Sequence, residues 1–164
     1  MGAGKSTVGK KLSKLLRFEF LDSDVLIARE QGCSISDIFK TFGEAYFREL
    51  ESTLLNKISG LDHIVVATGG GAILNHVTRN ILVQSGCICY LKVDIQQQLL
   101  RLSADSHGNH HRALLPVQDV LRLNFLQQNF LKREPLYNSI ANISIDTSHL
   151  NIDTAAQQIL HLCT

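Results

Sequence analysis

Six residues near the start, Gly2-Ala3-Gly4-Lys5-Ser6-Thr7, have the types and spacing of a loop that holds phosphate. In such a loop, successive backbone N–H groups converge on phosphate oxygens, and the helix that follows adds the positive end of its dipole. Lys5 is then placed to reach the β- and γ-phosphates, and the Ser6 hydroxyl to ligate Mg²⁺. The chemistry this predicts is binding of a nucleoside triphosphate. The full pattern, G-x-x-x-x-G-K-[ST], puts a further glycine five residues before Gly4, ahead of Met1, and a strand normally feeds the loop. The sequence reading therefore expects that the chain starts late, through a misplaced start or a truncation.

Asp22-Ser23-Asp24 follows a short apolar stretch. On an extended backbone, side chains two apart point the same way, so both carboxylates are expected to project from the carboxyl end of a strand. Phosphoryl transfer needs one carboxylate near the metal and one to accept the proton of the attacking hydroxyl. The competing reading is a helix N-cap, a position Asp and Ser favour. Gly69-Gly70-Gly71 ends another apolar run and allows either close approach of a ligand or a plain turn. Arg48, Arg112 and Arg133 carry guanidinium forks suited to carboxylates and phosphates, although each taken singly reads as a solvated surface residue. His107, His110 and His111 cluster beside Arg112 without the acidic or thiol partners of a metal site, and read as a solvated loop.

The elements that must position these residues follow from periodicity. Val8, Leu12, Leu15 and Leu16 predict a helix over 6–16. Residues 18–22 predict a strand, 24–31 a helix stopped by Gly32, and Ser34-Ile-Ser-Asp37 a capped short helix through Thr41. Gly43 breaks the pattern before a longer helix over 44–58. The continuous apolar runs 63–68 and 87–92, with Ile143-Ser-Ile145, predict parallel strands, the first of them buried on both faces. Helical patterns over 77–84, 95–102, 117–130 and 154–162 separate them. Strands alternating with helices mean an α/β fold with a parallel sheet. The polar, aperiodic stretch 103–111 predicts a mobile loop.

The chain of 164 residues suffices for one domain with a sizeable core, and residues 1–164 are read as one. Its net charge of +1 argues against a general nucleic-acid or membrane-surface binder. No apolar run reaches the roughly 20 residues of a membrane span. Cys33, Cys87, Cys89 and Cys163 lack metal-site spacing and are expected to be buried free thiols in a reducing cytosol, with Cys87 and Cys89 on one side of a strand.

Taken in order, the stretches 1–9, 20–24, 43–48, 67–72, 112–115 and 133–137 resemble the shikimate kinase family from the first residue to about Thr147. The resemblance implies a three-layer α/β P-loop kinase sandwich with a five-stranded parallel sheet, its central first strand absent from this chain, and a mobile lid at about 103–116. It implies transfer of the ATP γ-phosphate to the 3-hydroxyl of shikimate, on the route to chorismate and the aromatic amino acids, in the cytoplasm and as a monomer. It assigns Gly2, Ala3, Gly4, Lys5, Ser6 and Thr7 to the phosphates, and Ser6 with Asp22 to Mg²⁺. Asp24 would bind the reacting hydroxyls and accept a proton. Arg48 and Arg133 would clamp the shikimate carboxylate, and Gly70 would contact the ring substituents by its backbone. Arg112, on the lid, would reach the nucleotide phosphates and stabilise transferred charge, with Arg101 assisting.

Two departures stand out. Ala113 occupies the place of the lid motif's usual proline, and the lid is a few residues longer than usual through 106–111. The absent strand would leave its neighbours without a hydrogen-bond partner, at ~1–3 kcal/mol per buried unpaired group. The chain as given is therefore expected to be less stable, and to bind ATP less well, than one extended upstream. A gluconate-type P-loop kinase and a nucleotide-binding remnant without turnover are the competing readings.

Overall fold

The computed structural model describes residues 2–104 and 119–163. The predicted lid motif 112–115 and the histidines 107, 110 and 111 lie outside the described residues.

The first helix, α1 (Lys5–Leu16), starts where Gly4 takes a left-handed φ of 80° that a side chain would resist. It leads into β1 (Glu19–Asp22) and α2 (Ser23–Gln31). Gly9 lets α1 lie close on β1, since a Cβ there would fall 2.8 Å from the Phe20 ring. Gly32 (φ 65°) ends α2, and the Ser34 hydroxyl accepts from Asp37 N–H at the start of α3 (Ile35–Ile58). Gly43, at non-helical φ 80° and ψ 175°, kinks α3 and separates the two helical pieces expected on either side of it. Then come β2 (Ile64–Ala67), a 3₁₀ turn (Ala72–Leu74) and α4 (His76–Ser85), capped by Asn75. The remaining elements are β3 (Cys89–Lys92), α5 (Ile95–Ala104), α6 (Asp119–Ile140), β4 (Ile143–Asp146) and α7 (Ile152–Cys163).

α6 runs ten residues past the expected end at Phe130 and continues through Pro135. The apolar pattern fades because its last turns carry Arg133 and Tyr137, whose polar ends reach the glycine turn after β2 rather than the core. Ser103 and Ala104, expected in a loop, close α5.

The strands form two parallel pairs. β1 lies along β2 with Asp22 opposite Ala67, and β3 along β4 with Lys92 opposite Asp146. Among the described residues no strand hydrogen-bonds β2 to β3. A cavity of about 130 Å³ touches Thr68, Gly69 and Gly70 on one side and Cys89, Tyr90 and Leu91 on the other. This corrects the expected two-sided burial of the 63–68 run: Ile64, Val65 and Val66 are only half-buried, and among the described residues β2 pairs with β1 alone.

Two apolar cores hold the pairs. One gathers Ile27, Ile35, Ile38, Phe47, Leu54, Leu55 and Ile58 from α2 and α3. The other joins Val8 of α1 to Ile143 and Ile145 of β4 and to Ala155, Ala156 and Ile159 of α7. A fully buried side chain such as Ile38 contributes roughly 1.5–3 kcal/mol of transfer free energy. The cysteine expectation also needs correction. Cys33 and Cys89 are half-buried, whereas Cys87 and Cys163 are exposed. β3 begins only at Cys89, so Cys87 sits outside the strand, after the Gly86 that ends α4.

Candidate active site

The phosphate loop is built by two left-handed glycines, Gly2 (φ 67°) and Gly4 (φ 80°), around a buried Ala3. Gly4 O accepts the first helical bond from Val8 N–H at 2.8 Å, so the N–H groups before it remain directed toward the loop's mouth. Arg101 braces the loop from behind: one guanidinium nitrogen donates to Gly2 O at 3.2 Å and another to Thr147 O at 2.5 Å. Arg101 also donates to Ser148 O at 3.2 Å, so its guanidinium is held by backbone carbonyls next to the loop. Beside it, a cavity of about 430 Å³ is lined by Gly2, Gly4, Thr7, Arg101, Asn151 and Ile152.

At the carboxyl end of β1, Ser6 Oγ donates to Asp22 Oδ2 at 2.6 Å. The other Asp22 oxygen accepts from Asp24 N–H at 3.1 Å and Val25 N–H at 3.4 Å, which makes Asp22 the N-cap of α2. This corrects the expected geometry of the pair. β1 ends at Asp22 and Asp24 lies in the first turn of α2, so strand alternation does not aim the two carboxylates. The cap turns the chain and sends them to different tasks: the capping role belongs to Asp22 and leaves Asp24 without it. Burial pushes the pKa of the Lys5 ammonium down, with Asp24 and then Asp22 opposing it and Arg133 adding to it. Lys5 therefore stands among both carboxylates and the arginine of α6.

Gly69-Gly70-Gly71 forms the turn after β2 without calling on left-handed backbone. None of the three has a positive φ. A Cβ on Gly69 would fall 2.5 Å from Glu51 Oε1 and 2.8 Å from Asp24 Oδ1, and one on Gly71 would overlap the Arg48 guanidinium. Gly69 and Gly71 leave room for the protein's own charged side chains beside the turn. Ser23, fully buried, accepts from Gly69 N–H at 3.0 Å and ties the turn to α2.

Arg48 projects from α3 between two glutamates, at 2.7 Å from Glu51 and 3.0 Å from Glu44. Arg133 donates to Gly70 O at 3.2 Å, and Tyr137 Oη donates to the same oxygen at 2.5 Å. Tyr137 also stacks on Tyr90 of β3, with ring centroids 4.6 Å apart. Arg133 Nε is buried with no hydrogen-bond partner among the described residues. Burial lowers the Arg133 pKa, and the neighbouring Arg48 charge lowers it further. Arg133 thus keeps a buried donor in reserve beside the glycine turn, whereas Arg48 is engaged by Glu44 and Glu51.

Sequence reasoning missed Glu51, Ser23 and the role of Tyr137. Glu44, Arg48 and Glu51 have i,i+4 and i,i+3 spacing on one helix, a legible signal of a charged face. Nothing in the sequence reveals that Glu51, at one end of this row, is buried while Glu44 at the other stays exposed. Glu51 is 0% exposed. Its pKa rises from the ordinary value of 4.5 to about 7, chiefly through burial, with Arg48 opposing and Asp24 adding to the rise. A carboxyl that keeps its proton in the fold while the unfolded chain has lost it stabilises the fold. That contribution is complete below about pH 4.5 and is lost as pH rises through about 7. Glu51→Gln should therefore flatten the decline of thermal stability across this window. Melting curves at both edges of the window test it, and parallel declines in the two proteins would show that Glu51 does not titrate as described.

A phosphate loop at a helix N-terminus, carboxylates at the carboxyl end of the adjacent strand and an arginine pair across from them define a P-loop phosphotransferase acting on an anionic small molecule. A family model described as shikimate kinase matches residues 1–164. The shikimate kinase of Francisella tularensis subsp. holarctica is 42% identical over 160 residues, covering 97% of this chain and 88% of that one. That of Legionella pneumophila is 39% identical over 161 residues, covering 98% and 88%. The structure of shikimate kinase from Acinetobacter baumannii in complex with shikimate superimposes with a TM-score of 0.90 at 40% identity, covering 99% of this chain and 87% of that one. The chain belongs to the shikimate kinase family. It is a phosphotransferase with an alcohol acceptor, using ATP as co-substrate to phosphorylate shikimate; the gluconate-type reading is not supported.

Proposed function

We propose the following division of labour. The N–H groups of Gly2 to Thr7 and the Lys5 ammonium hold the ATP phosphates, with the nucleotide extending into the cavity beside Arg101 and α7. Ser6 and Asp22 hold Mg²⁺. Their fit to that ion rests on two hard oxygen donors converging 2.6 Å apart at the loop. When bound, the ion supplies charge neutralisation on the phosphates. Arg48 and Arg133 receive the acceptor's carboxylate, and Tyr137 with Arg133 fixes the Gly70 carbonyl so that the turn presents a constant edge to the ring. Asp24, beside Lys5 and the turn, accepts the proton of the attacking 3-hydroxyl. Arg112, outside the described residues, is assigned to the nucleotide phosphates and the transferred charge.

The observation that carries this reading is the convergence of Lys5, Asp24, Arg48 and Arg133 around one glycine turn. The solved relative from Acinetobacter baumannii holds shikimate, which supports the acceptor. We take residues 1–164 as a single domain acting as a monomer in the cytoplasm; among the described residues no helix is long and apolar enough to cross a membrane. An ADP-release assay with shikimate, quinate and gluconate is expected to give turnover with shikimate well above the other two. Preference for gluconate would sink the assignment.

A further inference from the structure

Outside the active site, the thiols of Cys87 and Cys163 face each other with their sulfurs 2.9 Å apart, and both residues are exposed. They are separated by 76 positions in sequence. Cys87 lies in the connection between α4 and β3, and Cys163 is the last residue of α7. We propose that Cys87 and Cys163 form a redox-sensitive thiol pair that a peroxide closes to an intramolecular disulfide, clipping the end of α7 to the start of β3.

The step balances with hydrogen peroxide as the oxidant. The thiolate of one cysteine attacks the peroxide, an S–O bond forms and the O–O bond breaks. The departing hydroxide leaves as water, and the attacking sulfur becomes a sulfenic acid. The second sulfur attacks it, the S–S bond forms, and the proton of the second thiol leaves with the hydroxyl group as another water. Two thiols are oxidised and one peroxide is reduced to two waters. Hydrogen-bonding distance between the sulfurs favours the second step over overoxidation, since the resolving thiol is already in place. Burial and the neighbouring Cys87 sulfur push the Cys163 thiol up to about 12, which keeps it protonated and able to donate into the pair. The nearest competitor, Cys89, is half-buried on β3, with burial pushing its thiol up to about 12 as well.

The clip bears on the nucleotide side of the molecule. α7 packs through Ala155, Ala156 and Ile159 against Val8, three residues beyond the phosphate-loop lysine, and its first residue Ile152 lines the cavity beside the loop. Fastening its far end restricts fraying of the helix that supports α1. Cross-links that close long loops chiefly restrain the unfolded chain, so the oxidised protein should melt several degrees higher than the reduced one.

The test treats the folded full chain with hydrogen peroxide, blocks residual thiols, and maps disulfides by peptide mass spectrometry alongside melting curves with and without reductant. A Cys87–Cys163 cross-linked peptide, a mass loss of two hydrogens and a reductant-reversible rise in melting temperature are expected. Cys87→Ser and Cys163→Ser should each abolish all three, and Cys89→Ser should leave them intact. Pairing through Cys89 or Cys33, covalent dimers, or oxidation of single thiols without an internal bond would each overturn the proposal.

Discussion

Asp24→Asn should lower kcat by ~10²–10⁴-fold, the range that a positioned general base contributes, while ATP binding stays near its original strength. The substitution keeps the shape and removes the ability to take the hydroxyl proton. It is a clean probe here because the capping of α2 belongs to Asp22, whose Oδ1 accepts from both Asp24 and Val25 N–H. The loss therefore falls on chemistry rather than on folding. Asp24 sits against Gly69 and acts electrostatically on both Lys5 and Glu51. Its removal should also change the pH profile of the remaining activity, because Glu51 loses a neighbouring negative charge. Single-turnover measurements separate the chemical step from binding. Near-normal kcat in the variant would mean that proton removal does not depend on this carboxylate.

Arg133→Ala should raise KM for shikimate by about 10–100-fold with little effect on KM for ATP. A hydrogen bond to a charged group contributes ~1.5–3 kcal/mol, which corresponds to that range. Arg133 is the stronger choice of the two arginines for this experiment. Arg48 is tied to Glu44 and Glu51, so its truncation leaves a buried carboxyl without its partner and costs stability as well. Arg133 has a buried Nε with no partner among the described residues, and Tyr137 still holds Gly70 O when it is gone. Steady-state kinetics with each substrate varied in turn provides the check. Equal increases in both KM values would assign Arg133 to the scaffold.

The sequence by itself determined the parts of this protein whose signals are local. Gly4-Lys5-Ser6 dictates a left-handed turn and a helix start wherever it is placed, and the loop and α1 lie where the residues put them. The caps at Ser34 and the kink at Gly43 are equally local, since φ/ψ preferences and short-range hydrogen bonds decide them. The family resemblance rested on such stretches and identified the reaction. What tertiary structure decided is which charges are out of water. Arg48 taken singly reads as a solvated surface residue; packing of α3 beside the glycine turn buries its partner Glu51 and shifts that carboxyl's pKa by desolvation, a quantity absent from spacing. Spacing alone put Asp22 and Asp24 on one side of a strand; the turn between them, capped by Asp22, is what separates their geometry. The length of α6 escaped the apolar pattern because its final turns serve the site instead of the core. The meeting of Cys87 and Cys163 escaped it for the simplest reason: contact between residues far apart in the chain is set by how α7 packs on α1 and β4, and no local preference records it.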